Sequence, residues 1–203
     1  MPKVICVGRN YAAHAAELGN KKPSEPVIFL KPETAILSKN KPFFIPDFSQ
    51  SIHYECEMIV RINKLGKNID VKFAHKYYSE ISLGIDFTAR DLQEKLKKEG
   101  LPWEIAKAFD NSAVVGKWVE KKEYNIGNMA FSLFINGEKK QQGTTYDMIF
   151  SIDELIAYIS KFFTLKIGDI IFTGTPAGVG PVAQNDLLVG CLENQEVFNF
   201  RCK

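Results

Sequence analysis

The sequence predicts an α+β fold rich in strands, and three observations lead to it. Short apolar runs with period-two alternation outnumber helical stripes. An Asn-Gly pair sits between two of those runs, the strongest short hairpin signal. Strands and helices do not follow one another in the regular βαβ rhythm that a doubly wound parallel sheet requires. At 203 residues the chain suits a single domain over residues 1–203, and its 45% hydrophobic content can fill one core.

The elements follow in order. Residues 4–7 read as the first strand and residues 11–18 as a short helix. Residues 27–30 form a second strand, and the alternation of "SIHYECEMIV" predicts a long one over 53–62. Thr88 with Asp91 has capping-box spacing, so a helix is expected there, ended by Gly100 and Pro102. Residues 132–135 form a strand that Asn136 and Gly137 turn back on itself, since both tolerate positive φ. Ser151 with Glu154 starts another helix, whose Ile152, Leu155, Ile156 and Ile159 form an apolar stripe. Residues 170–173 form a strand that runs into a Gly-Pro loop.

Composition excludes several functions. A net charge of +2 is too weak a bias for a nucleic-acid or anionic membrane partner. No apolar run approaches the ~18–20 residues of a membrane span. The N-terminus reads as a strand rather than a leader, so a cytoplasmic location is expected. Cys6, Cys56, Cys191 and Cys202 show no zinc spacing and are expected as reduced thiols.

Four stretches carry candidate chemistry. On an extended chain Glu55 and Glu57 point the same way, about 6.6 Å apart along the strand. At an effective dielectric of about 20 they repel by about 2.5 kcal/mol. The pair is either a solvated polar face or part of a cation cage. Asp86, in "LGIDFTARDLQ", is a third acid at a strand end, either a ligand or a residue stabilised by a helix dipole. Three carboxylates without His or Cys would suit Mg²⁺ or Mn²⁺. In "NYAAHAAELG" a helix puts His14 and Glu17 on one face. That is either a surface ion pair or a general base whose tautomer the carboxylate holds. Lys107, among apolar neighbours in "GLPWEIAKAFD", either snorkels to water or stabilises an oxyanion. "FTGTPAGVGPV" matches neither phosphate-binding glycine pattern, so a nucleotide cradle is rejected. Its small residues permit close ligand approach or an ordinary turn.

Together "VGRNYAAHAAEL", "FLKP", "HYECE", "GIDFTARDLQ", "GLPWEIAKAFD" and "FTGTPAGVGPV" resemble the fumarylacetoacetate hydrolase superfamily, in order and over essentially the whole chain. The likeness is greatest to its small single-domain branch of acylpyruvases and oxaloacetate decarboxylases. That resemblance implies a strand-rich mixed β-sandwich roll with a few short helices. It implies one Mg²⁺ or Mn²⁺ on Glu55, Glu57 and Asp86, and a His14–Glu17 dyad on a lid helix. It further implies Lys107 as the active-site lysine, with Gln93, Thr175, Arg9 and Arg90 around the substrate. Larger relatives carry an additional aspartate ligand where this chain has Val7. The expected activity is C–C hydrolysis of acylpyruvates or decarboxylation of oxaloacetate. The alternatives are an isomerase of the 2-hydroxyhepta-2,4-diene-1,7-dioate type and a non-catalytic metal- or ligand-binding relative. The expected partners are a small 2-oxo acid and a second copy of the chain, with no nucleic acid or membrane.

Overall fold

A computed structural model describes residues 2–203 except Leu18, Asn20 and Asn40. Its largest sheet has seven strands. Along the path lie β2 (Val27–Lys31), β1 (Val4–Gly8), β11 (Ile170–Phe172), β4 (Cys56–Ile62), β5 (Tyr78–Asp86) and β7 (Ala113–Val115), while β8 (Val119–Glu120) also pairs with β5. Only β1 and β11 run parallel. A second sheet is antiparallel, in the order β10 (Glu138–Thr144), β9 (Ala130–Ile135), β13 (Leu187–Leu192) and β14 (Gln195–Arg201). A third, small sheet joins β12 (Gly180–Pro181), β3 (Ile52–Tyr54) and β6 (Thr88–Ala89). This is the strand-rich mixed fold the sequence predicts.

Alternation explains the core. Met58, Val60 and Ile62 of β4 join Ile81, Leu83 and Ile85 of β5 in one buried cluster, and Phe131, Leu133, Ile135, Leu188 and Leu192 of the second sheet complete it. Ile59 points the other way, with Val4, Cys6, Ile170 and Phe172, into a separate cluster. The large sheet is therefore apolar on both faces. Glu55 and Glu57 share the face of Ile59, at the end of β4 where that cluster stops.

Two local expectations hold as written. Asn136 and Gly137 adopt φ of 52° and 84° and join β9 to β10, as a type I′ turn requires. Helix α5 (Ile152–Phe162) begins with a complete capping box between Ser151 and Glu154, and buries Ile152, Leu155, Ile156 and Ile159. It lies against the short helix α2 (Val71–Ala74). The short helix α1 spans Ala12–Glu17, and the expected Leu18 end lies outside the described residues.

Two expectations change. Helix α3 (Arg90–Glu99) has Ala89 at its N-cap with no side-chain cap, and Gly100 closes it. Thr88 instead pairs opposite His53 in the small sheet. Asp91 accepts from Ser49 Oγ at 2.6 Å and from Gln50 N at 2.9 Å. Tertiary partners thus outcompete the local cap. The long strand expected over 53–62 is two strands, broken at Glu55. Up to Tyr54 the chain pairs with β6 and β12; from Cys56 it pairs with β5 and β11. The C-terminal hairpin β13–β14, with a register shift between Gly190 and Cys191, lies outside the strands the sequence predicts.

Candidate active site

The break at Glu55 assembles the site. β4 and β5 are antiparallel, with Cys56 opposite Ile85 and Glu57 opposite Gly84. The start of β4 therefore meets the end of β5, where Asp86 stands. Asp86 N donates to the Glu55 carbonyl at 2.8 Å. One oxygen each of Glu55, Glu57 and Asp86 lies within 4.8 Å of the others. All three residues are at most 5% exposed, so they are no solvated face.

Buried carboxylates need partners, and cations supply most of them. Lys107, on the short helix α4 (Glu104–Lys107), is 3% exposed and does not snorkel. Its ammonium donates to Glu55 Oε2 and Asp86 Oδ2 at 2.8 Å each and to Thr88 Oγ1 at 2.6 Å. Arg90 Nη2 donates to Glu55 Oε1 at 2.5 Å, and Arg90 Nη1 to Gln93 Oε1 at 2.6 Å. Glu57 Oε2 accepts from the backbone N–H of Gly174 at 2.7 Å. Burial alone would raise the Glu55 pKa, but Lys107 and then Arg90 outweigh it and hold the group below the usual carboxylate range. Glu57 is pushed well above that range by burial, then by Asp86 and Glu55.

A divalent cation fits this arrangement. The donors are all oxygens, the choice of a hard ion. Asp86 Oδ1 is buried without an aligned hydrogen-bond donor, although the Lys31 ammonium lies 2.8 Å away as an ion pair. Burial and the neighbouring Asp86 and Glu55 carboxylates disfavour charge on Glu57, and a dication would offset that repulsion.

Across from the carboxylates is the dyad. His14 Nδ1 lies 3.2 Å from Glu17 Oε2; His14 is buried, 4% exposed, while the Glu17 side chain is one-third exposed. Glu17 Oε1 accepts from Gly178 N at 3.0 Å, so α1 is latched onto the Gly-Pro loop. Asn10, fully buried before α1, donates from Nδ2 to Thr173 O at 2.8 Å and accepts from Phe150 N on Oδ1 at 2.8 Å.

A cavity of about 30 Å³ collects Arg9, His14, Glu55, Glu57, Arg90, Gln93, Lys107 and Thr175 along its wall. Asp86 and Glu17 stand behind it, joined through Lys107 and His14. The cavity has room for about one water. Arg9 holds φ of 62°, unusual backbone for a residue with Cβ. Its guanidinium lies 5.8 Å from the Trp103 ring centroid. Among the described residues the buried Nε of Arg90 has no hydrogen-bond partner. Thr175 Oγ1 is committed on both sides, donating to Cys56 O and accepting from Gln141 Nε2, each at 2.8 Å.

Three supporting residues escaped sequence reasoning. Thr88 had been assigned to a cap. Lys31 lies within "FLKP", one of the stretches that carry the family resemblance, but received no role of its own. Gln141, whose Oε1 accepts from Cys56 N at 2.9 Å, gave none within the polar "EKKQQGT".

Residues 3–199 match the fumarylacetoacetate (FAA) hydrolase C-terminal family. The chain is 47% identical over 188 residues to the oxaloacetate tautomerase YcgM of Escherichia coli K12, covering 92% of this chain and 86% of that protein. Among solved structures it is similar to fumarylpyruvate hydrolase from Pseudomonas aeruginosa in complex with Mn²⁺ and pyruvate. There the TM-score is 0.93 and the identity 36%, covering 100% of this chain and 89% of that one. It is also similar to 2-hydroxyhepta-2,4-diene-1,7-dioate isomerase from Mycobacterium marinum, with TM-score 0.85, 33% identity, and coverage of 98% and 73%.

Proposed function

The chain belongs to the fumarylacetoacetate hydrolase family, and from that premise we propose a divalent-metal-dependent enzyme acting on small 2-oxo acids, oxaloacetate first among them. One observation carries the proposal: three buried carboxylates converge beside Lys107 and Arg90, and His14 lines the same cavity. Glu55, Glu57 and Asp86 would hold Mg²⁺ or Mn²⁺, which when bound supplies a Lewis acid for the 2-oxo oxygen and the neighbouring carboxylate.

The chain's own residues do the rest. Arg90 Nε–H, buried and unpartnered, is free to donate to a substrate oxygen. Gln93 holds the other end of that guanidinium. Arg9, at the cavity wall, suits the far carboxylate of a diacid. The commitment of the Thr175 hydroxyl to Cys56 and Gln141 gives that residue the shaping of the loop wall beside the substrate carboxylate. Lys107 keeps a positive charge where negative charge develops on the enolate oxygen. Glu17 accepts the Nδ1 proton of His14, which leaves Nε2 as a base. In tautomerisation Nε2 takes a proton from C3 of the keto form and delivers it to the enolate oxygen on C2, which gives the enol; the reverse transfer regenerates the ketone. The likeness to the oxaloacetate tautomerase YcgM supports that reaction. In acylpyruvate cleavage the same nitrogen takes a proton from water, and hydroxide attacks the distal carbonyl. That second reading is supported by the likeness to fumarylpyruvate hydrolase.

The test is the rate of oxaloacetate enol–keto exchange, oxaloacetate decarboxylation and acylpyruvate cleavage, with Mg²⁺ and after chelation. Chelation should abolish all three. His14→Ala should lower exchange and cleavage by about 10²–10⁴-fold and decarboxylation, which moves no proton to His14, far less. Equal losses across all three would make the dyad a lid latch. A wild type inert on every substrate would leave a non-catalytic ligand-binding relative.

The proposal extends to a single catalytic domain over residues 1–203, working as a homodimer in the cytoplasm. The dimer is supported by an apolar surface beside α4, where Phe48, Leu101 and Ile105 are 49%, 47% and 62% exposed, which two-fold closure would cover with itself. The location is supported by four free cysteines, suited to a reducing compartment. No helix of the described residues is long and apolar enough to cross a membrane.

A further inference from the structure

Strand β2 ends on a charged side chain that does not reach the cavity. Lys31 is 2% exposed. Its ammonium lies 2.8 Å from Asp86 Oδ1 and donates to Ser112 Oγ at 2.9 Å and to the Ser112 carbonyl at 3.2 Å. It also donates to the backbone carbonyl of Lys107, and the Phe87 carbonyl lies 3.4 Å away. Phe29, two residues earlier, lines the cavity, whereas Lys31 does not. One buried cation thus ties β2 to the end of β5, the end of α4 and the turn into β7.

Burying an ammonium costs several kcal/mol, and an apolar side chain of similar volume is often neutral or better for stability. Packing alone therefore does not account for a lysine here. Its contacts do. Asp86 has an ammonium on each oxygen, Lys31 on Oδ1 and Lys107 on Oδ2. Lys31 also holds the carbonyl of the residue that carries the second ammonium, with Ser112 Oγ donating to that same carbonyl at 2.9 Å. A shift of Lys31 would turn the Asp86 carboxylate and release the backbone beneath Lys107 together.

We propose that Lys31 is a positioning residue: from outside the cavity it sets the orientation of Asp86 and the aim of Lys107, and thereby the affinity of the site for its metal. The proposal rests on Glu55, Glu57 and Asp86 being the metal ligands.

The experiment is calorimetric titration of Mn²⁺ into wild type, Lys31→Met and Ser112→Ala, with circular dichroism melts to confirm folding. Charge alone predicts tighter Mn²⁺ binding in Lys31→Met, because a cation beside the site has gone. A merely structural lysine predicts unchanged binding by the folded protein. Positioning predicts weaker binding, by about tenfold, as for partners that orient metal ligands from behind. On the same grounds kcat on oxaloacetate should fall about tenfold or more at saturating Mn²⁺, while KM stays within about threefold. Unchanged or tighter Mn²⁺ binding in folded Lys31→Met overturns the proposal. If that variant does not fold, Ser112→Ala decides. It keeps the charge and removes one anchor of the Lys107 carbonyl, so Mn²⁺ binding should weaken about threefold, and wild-type affinity overturns the proposal. A wild type that binds no Mn²⁺ overturns the metal reading itself, a result distinct from a variant that matches a competent wild type.

Discussion

Asp153, at the first turn of α5, shows what a half-buried charge does to this protein. Among the described residues its Oδ1 has no hydrogen-bond partner and is shielded from solvent, and burial raises its pKa against the opposing pull of Lys121, His75 and the Tyr78 hydroxyl. The folded protein therefore holds the Asp153 proton more tightly than the unfolded chain does. The resulting stability is fully present below the ordinary aspartate pKa and is lost as pH rises through the raised native value. An asparagine side chain cannot ionise, so Asp153→Asn should flatten the decline of melting temperature across that window. At pH 7 the variant should melt higher, by on the order of 1–2 °C. A melting curve as steep in pH as wild type would refute this account of Asp153. Glu57 meets stronger versions of the same forces and offers an oxygen to the other two acids. At Glu57 the destabilised charge stands beside two further carboxylates with which it could share an ion.

The loop after β11 joins backbone shape to site chemistry. Gly174 has φ of 101°, and a Cβ there would lie 2.6 Å from Asn10 Cβ. The same residue donates its N–H to Glu57. Gly174→Ala should therefore lose about 1–3 kcal/mol of stability and weaken Mn²⁺ binding, because the donor moves with the strained backbone. Ser151→Ala is the matched comparison: loss of the α5 cap should cost about 1 kcal/mol and leave Mn²⁺ affinity alone. Equal Mn²⁺ affinities in the two variants, measured by calorimetry, would separate the loop from the site. Helix α1 belongs to the same unit. Its Glu17 latch to Gly178 couples the dyad to the loop whose first residues hold Glu57.

The two larger sheets share one core, since Leu83 and Ile85 of β5 lie in the same buried cluster as Leu133 and Leu188 of the second sheet. Neither sheet can bury its inner face alone, so the chain should unfold as one unit. In urea, tryptophan fluorescence and far-UV circular dichroism should trace a single coincident transition. Light scattering before denaturant should return about twice the 22.9 kDa of one chain, in keeping with two-fold closure. Separated transitions would argue for two domains, and a mass of one chain would remove the homodimer. The active site lies where β4 begins and β5 ends, at the edge of the face that packs Ile59 and Phe172. Charged groups collect where that apolar face runs out.

The strand-rich class, the Asn136–Gly137 turn and the capped α5 were legible because each depends on neighbours in sequence: alternation, turn chemistry and a side chain reaching its own backbone. Spacing and pattern pointed to Glu55, Glu57, Asp86, His14, Glu17 and Lys107, family likeness added Gln93, Thr175, Arg9 and Arg90, and the structure brings these residues to one cavity and its immediate backing. Partner identity was not legible. Thr88 and Asp91 have the spacing of a cap, yet β3 and the loop at Ser49 claimed them, because hydrogen bonds across the fold competed better than local ones. The alternation through 53–62 predicted one strand, but two sheets claim its halves, and the break at Glu55 is what turns a strand face into a site. Lys31 lies just past the strand expected over 27–30, and nothing in the pattern around Gln141 marks its partners. Residues 56, 76 and 81 positions further along the chain face Lys31, and a residue 85 positions back faces Gln141. Local sequence sets which backbone shapes and faces are favourable. Which buried charges meet is decided by long-range packing, since only the assembled sheets remove the water that would otherwise solvate them separately.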